Sequence, residues 1–293
     1  VHMPAHIYAR VGDHPAAAHC NTIAAAADKK FLAATHEQGV YPLMYYSHNL
    51  HFLAFAASMD GNFAEAKDAA ARVVANVMPG VKAMPMLEGF LPTPMVVLFA
   101  FERWDDLLKL PAPDASLLIT NAVWRSLRGV AFANTGKTAD AEKEQSAFRE
   151  LVAKIPPDAM YDQLNKTGAV FKIHDDLLAG MIARSRHDDK GAIDSLTQAV
   201  AAEDALNYSE PPPWYPPVRP MLGRVLLEAK QLPEAEKVFR ADLDRNPRDG
   251  RALSGLRDCL NAQGRKYEAD QIDQQFRAAW KFATAANATT PGR

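Results

Sequence analysis

Residues 235 to 250 read AEKVFRADLDRNPRDG, and this run decides the fold. A small residue, Ala235, opens it. Phe239 follows one helical turn later, and Pro247 closes it by lacking the N–H that a continuing helix needs. Working outward, Leu222, Leu226 and Ala235 recur as Leu256, Leu260 and Ala269, each 34 positions on. A period of that size is one helix, a turn and a second helix. Each recurring residue has a packing reason. Gly223 sits where the first helix meets the second, Ala235 lets the second helix approach closely, and Phe239 fills the space between units.

The same phase reaches back along the chain. Gly129, Phe132, Gly136 and Ala141 fit one pair, Gly180 and Ala192 another, and Ala54, Gly61 and Ala66 a third. Ala5, Tyr8, Gly12 and Ala17 fit the first, and a degenerate pair spans Met95 to Phe101 and Trp104 to Leu110. Between the alanines at 17, 66, 141, 192, 235 and 269, the spacings are 49, 75, 51, 43 and 34. Inserts are therefore expected near residues 31–46, 81–94, 155–172 and 207–217. The period and its alanines resemble the tetratricopeptide repeat. The expectation is an all-α solenoid of about seven helix pairs, one domain over residues 1–283, with 284–293 a fraying tail. If Ala17 holds repeat position 20, position 1 precedes Val1, so the first repeat is expected to be incomplete.

Composition removes several classes. Of 293 residues 48 % are hydrophobic and the net charge is −2, so no basic field exists to hold a nucleic-acid backbone. The longest apolar stretch, Phe90 to Phe101, is 12 residues and carries Pro92 and Pro94, too short and broken for a membrane span. Cys20 and Cys259 make no disulfide framework. HExxH, GxSxG, Walker and dinucleotide-binding motifs do not occur.

Histidines make the inner surface unusual. His2 and His6 fall at positions 5 and 9 of the first helix of their unit, and His48 and His51 at positions 2 and 5 of the next. Spacings of i,i+4 and i,i+3 stack side chains on one helix face, and adjacent packed helices lie about 8–10 Å apart. The four are candidate ligands for zinc, copper, iron or nickel, which imidazole suits. Ordinary polar groups satisfied by hydrogen bonds are the alternative. Pro4 places His2 near a helix start, where i,i+4 stacking need not hold. His174 falls where it reaches the same groove, while His14, His19, His36 and His187 read as surface residues. In the insert ALNYSEPPPWYPPVRP, residues 205–220, the prolines predict an extended arm. Glu210, Trp214 and Arg219 are candidate groove or lid residues, with Tyr46 beside His48; the alternative is a rigid connection whose aromatics simply pack.

Three segments together, HMPAHIYARVG (2–12), YYSHNLHFLAFAASMDG (45–61) and YSEPPPWYPPVRPMLG (208–223), resemble the C-terminal half of a bacterial family of large tetratricopeptide-repeat proteins. Ala5 and Ser47 depart from the serine and proline common there, and neither change removes a histidine. The resemblance implies a bacterial protein of the cytoplasm or periplasm, with a histidine-rich helical half before these segments that His2, His6, His48 and His51 would face. Two functional classes remain. One is a scaffold whose groove binds a peptide, a partner protein or that missing half, with self-association through an open first repeat. The other is a metal-binding protein or metal-dependent enzyme using the groove histidines.

Overall fold

Five residues before each recurring alanine the backbone turns left-handed. Gly12, Gly61, Gly136 and Gly264 hold φ between 75° and 78°, and the matching His187 and Lys230 hold 60° and 61°. The computed structural model describes residues 1–283, and the expected fraying of 284–293 lies outside them. Glu102, at φ 53°, makes the same turn inside the degenerate pair, five residues before the buried Leu107. One turn thus joins the two helices of every pair. Glycine recurs there because a Cβ strains the left-handed region.

The described residues are all-helical, without a strand, and their fourteen α-helices pack in adjacent pairs in the layout of an α-solenoid. The pairs are α1 (Pro4–Arg10) with α2 (His14–Thr35), α3 (Ser47–Met59) with α4 (Phe63–Val77), and α5 (Thr93–Ala100) with α6 (Trp104–Leu108). They continue as α7 (Leu118–Asn134) with α8 (Thr138–Val152) and α9 (Thr167–Ser185) with α10 (Asp189–Asp204). The last two are α11 (Arg219–Glu228) with α12 (Leu232–Arg245) and α13 (Gly250–Ala262) with α14 (Lys266–Ala279). Side-chain caps start several second helices. Asn62 accepts the Glu65 N–H and donates to its carboxylate, and Asp188 accepts the Gly191 N–H. No described helix is long and apolar enough to cross a membrane.

The recurring alanines at 17, 66, 141, 192, 235 and 269 are all buried between paired helices. Phe239 is closed off between units: a Cβ on Gly223 or on Gly255 would come within 2.5 Å of its ring. The inserts are more ordered than expected. Residues 41–46 wind into a π-helical turn that runs directly into α3, and Pro85–Phe90 forms a 3₁₀ helix. Lys166 ends the third insert, because α9 already begins at Thr167.

The array curls back on itself. Arg251, at the start of α13, donates from Nη2 to the carbonyls of Ser58 (3.1 Å) and Ala100 (2.7 Å), at the C-terminal ends of α3 and α5. Trp280, stacked on the Arg251 guanidinium, donates to the Met59 carbonyl at 2.9 Å. This closure buries His14, which sequence placed on the surface: the last unit covers it, and burial pushes its imidazole down to about 4.

Candidate metal centre

The site starts with how the chain winds at its first residues. The Ala5 N–H bonds the His2 carbonyl at 2.8 Å, so a turn already exists before α1, and Pro4 occupies a first-turn position where no N–H is required. His2 and His6 therefore meet despite the proline, with their Nε2 atoms 2.8 Å apart. From α3, His48 brings its Nε2 to 3.1 Å from that of His2. Phe52, one turn beyond His48 and fully buried, meets all three imidazoles edge-on at centroid distances of 5.0–5.9 Å and floors the cluster.

The outer nitrogens are held by other elements. Asn21 on α2 donates through Nδ2 to the Ala17 carbonyl, which turns its Oδ1 toward His2 Nδ1 at 2.9 Å. His2 must donate that bond. His6 Nδ1 lies 2.5 Å from Glu210 Oε2, and the other carboxylate oxygen of Glu210 accepts the Tyr208 hydroxyl. A carboxylate that accepts on both oxygens leaves the proton on His6 Nδ1. His2 and His6 accordingly turn their Nε2 atoms toward each other. Burial lowers the His48 imidazole to about 3 and also lowers that of His2, with the neighbouring histidines adding to both effects. A second carboxylate stands close by. Asp28, buried on α2, accepts from Asn49 Nδ2 (2.6 Å) and from the Tyr41 hydroxyl (2.9 Å) and acts electrostatically on His2.

Three of the four candidate ligands thus converge, and His51 does not join them. A helix advances 100° per residue, so i,i+3 partners diverge by about 60°. His51 points instead between Phe90 and Tyr215, at centroid distances of 5.5 and 6.3 Å, where burial lowers it to about 4. His174 is also elsewhere, hydrogen-bonded to Ser126 and edge-on to Trp214.

Residues 207–218 are no free arm. They form a strap across the inner face built by the first helices of the pairs. Glu210 reaches His6 on α1, Tyr215 packs on Phe55 of α3, and Trp214 on Phe99 of α5 and His174 of α9. Trp214 and Tyr215, at 4 % and 3 % exposure, are buried in two different apolar clusters. Of the four candidate groove residues only Glu210 touches the converging group of His2, His6 and His48. Arg219 pairs with Asp204 and continues into α11, and Tyr46 packs beside Leu50 and Phe90. Asn21, Asp28 and Tyr208 were missed by sequence reasoning. The signal for Asn21 and Asp28 was a polar residue spaced among the alanines at 17, 18, 24 and 25 that line the same face of α2.

No protein-family model and no curated protein matches this chain.

Proposed function

We propose that the chain is a tetratricopeptide-type α-solenoid that binds a divalent transition metal through His2, His6 and His48, with Asn21 and Glu210 as orienting groups. One observation carries this reading: with the Nδ1 atoms of His2 and His6 held outward by Asn21 and Glu210, three imidazole nitrogens converge, His2 Nε2 lying 2.8 Å from His6 Nε2 and 3.1 Å from His48 Nε2. Ligands of one tetrahedral zinc, at bonds of about 2.0–2.1 Å, stand about 3.3 Å apart, near the spacing of this group. The Nδ1–H to carboxylate or carbonyl arrangement is also how metal-bound imidazoles are held. Three protein ligands leave a fourth position, where bound water is acidified or a carbonyl oxygen polarised.

Elemental analysis by plasma mass spectrometry on tag-free protein tests it. Near one equivalent of a transition metal per chain is expected, falling at least tenfold in His48→Ala. Metal-free protein that takes up no zinc, cobalt or copper on addition would sink the reading.

The partner-binding reading keeps one specific observation. Met3, Ile7 and Val11 form an exposed apolar edge on α1, next to the histidine face. Light scattering at micromolar concentration checks self-association through it: a dimer that Ile7→Glu returns to monomer is the expected result, and a strict monomer removes it.

A further inference from the structure

The histidine cluster is open to solvent on one side, and a guanidinium stands at that opening. His6 is 25 % exposed, and Tyr208, whose hydroxyl meets Glu210, is 62 % exposed, so a ligand needs no buried channel to reach the imidazoles. Arg10, also exposed, follows His6 by four residues and His2 by eight, which sets all three along one side of the first helical segment. Its guanidinium lies over the Tyr208 ring, 5.4 Å from the centroid. A continuous set of contacts therefore runs from Arg10 through Tyr208 and Glu210 to His6. Lying over a ring uses none of the guanidinium N–H donors. Among the described residues no carboxylate pairs with Arg10 and no hydrogen bond uses its side chain, whereas Arg72, Arg103, Arg149 and Arg184 each meet an acidic group.

The two carboxylates nearest the histidines are already engaged. Glu210 holds His6 and Tyr208, and Asp28 holds Asn49 and Tyr41. Arg10 therefore keeps a free fork of donors, and that geometry matches an oxyanion from outside. We propose, resting on the metal reading above, that this centre binds a short dicarboxylate, with one carboxylate in the open metal position and the other on Arg10. Imidazoles are neutral ligands, so a divalent cation held by three of them keeps a positive charge that an anion meets. One helical turn, about 6 Å, separates His6 from Arg10 along the axis, a span that a four-carbon diacid bridges. A cationic far end would meet the like charge of the guanidinium. An apolar far end would leave the fork empty.

Succinate, butyrate and γ-aminobutyrate share a chain length and one carboxylate and differ at the far end, which makes them the probes. Each is titrated into the full chain loaded with cobalt(II), whose visible absorption changes when a carboxylate enters its coordination sphere. Cobalt content is determined on the same samples. Succinate is expected to bind about fivefold tighter than butyrate, the upper range for a solvent-exposed ion pair, and γ-aminobutyrate more weakly than either. Rising salt should shrink the succinate advantage. Arg10→Met keeps an apolar stem over Tyr208 and should erase that advantage. Arg10→Lys should retain part of it, because the charge stays while the fork is lost. Cobalt bound with succinate no tighter than butyrate, or a preference that survives Arg10→Met, overturns this proposal and leaves the metal centre standing. Loss of cobalt from Arg10→Met overturns it too, since Arg10 would then shape the ligands instead of meeting the anion. Cobalt that the unaltered chain does not take up overturns both.

Discussion

Arg251→Met is expected to lower stability by about 3–5 kcal/mol, the usual cost of removing one partner from a buried charged group. The guanidinium is largely buried, its side chain 13 % exposed, donates to the last-turn carbonyls of two helices, and lies near the buried carboxyl of Asp249. Those carbonyls carry the negative ends of the α3 and α5 dipoles, which a buried cation is well placed to satisfy. Methionine keeps most of the stem but leaves both carbonyls without their donor and Asp249 without its cation. Asp249 and Asp242 are both fully buried and raised above the ordinary aspartate range, chiefly by that burial. Urea unfolding reads the loss, and small-angle scattering reads the expected increase in radius as the last unit leaves α3 and α5. Arg257→Met is the control, because Arg257 pairs with Asp258 and Asp273 at a half-buried site and should cost less than about 1 kcal/mol. Equal effects of the two substitutions, with unchanged scattering, would show that Arg251 holds nothing together.

Glu210→Gln should reduce affinity for added zinc about 10–100-fold, as loss of an orienting carboxylate does at other metal sites. The glutamine amide can still meet His6 but no longer makes it a more basic ligand, and the Tyr208 contact loses its charged acceptor. Linkage gives a second readout. Zinc at 100 times its dissociation constant should stabilise the native protein by about 2.7 kcal/mol, and at the same zinc concentration the variant should show about 0.4–1.4 kcal/mol. Competition titration against a chromophoric chelator measures the affinity, with differential scanning fluorimetry beside it. Unaltered zinc affinity in the variant would remove Glu210 from the site, and unaltered melting temperatures in both proteins would remove the site.

Much of this was legible in the chain. The alanines at 17, 66, 141, 192, 235 and 269 announced themselves because only a small side chain fits where paired helices touch, and every one is buried there. The third pair looked degenerate because the equivalent position is Leu107, 34 residues before Ala141, and a search for small residues passes over leucine. The histidines were legible as two windows but not as three converging rings. The winding of the chain ahead of Pro4, and the 60° between His48 and His51, decide which of them meet. Glu210 stood out by its proline-rich surroundings, yet those prolines argued for an extended arm. Burial of Trp214 and Tyr215 in separate clusters folds the strap inward instead, a tertiary effect with no local signature. His14 shows the limit most plainly. Its covering comes from a unit more than two hundred residues away, and no pattern near position 14 encodes it.

The closure by Arg251 and Trp280 changes what kind of polymer this is. In an open repeat array each unit touches only its neighbours, stability adds unit by unit, and the ends melt first. Here contacts separated by 193 and 221 residues tie the last unit to the second. The last described helix pair cannot loosen without breaking its bonds to α3 and α5, so these units should melt together. Long-range pairing of this kind also slows folding, because the ends must find each other before any of these bonds can form. The histidine centre sits inside that loop, on the first two units, and inherits its all-or-none character: loosening the final helix pair is felt at the metal.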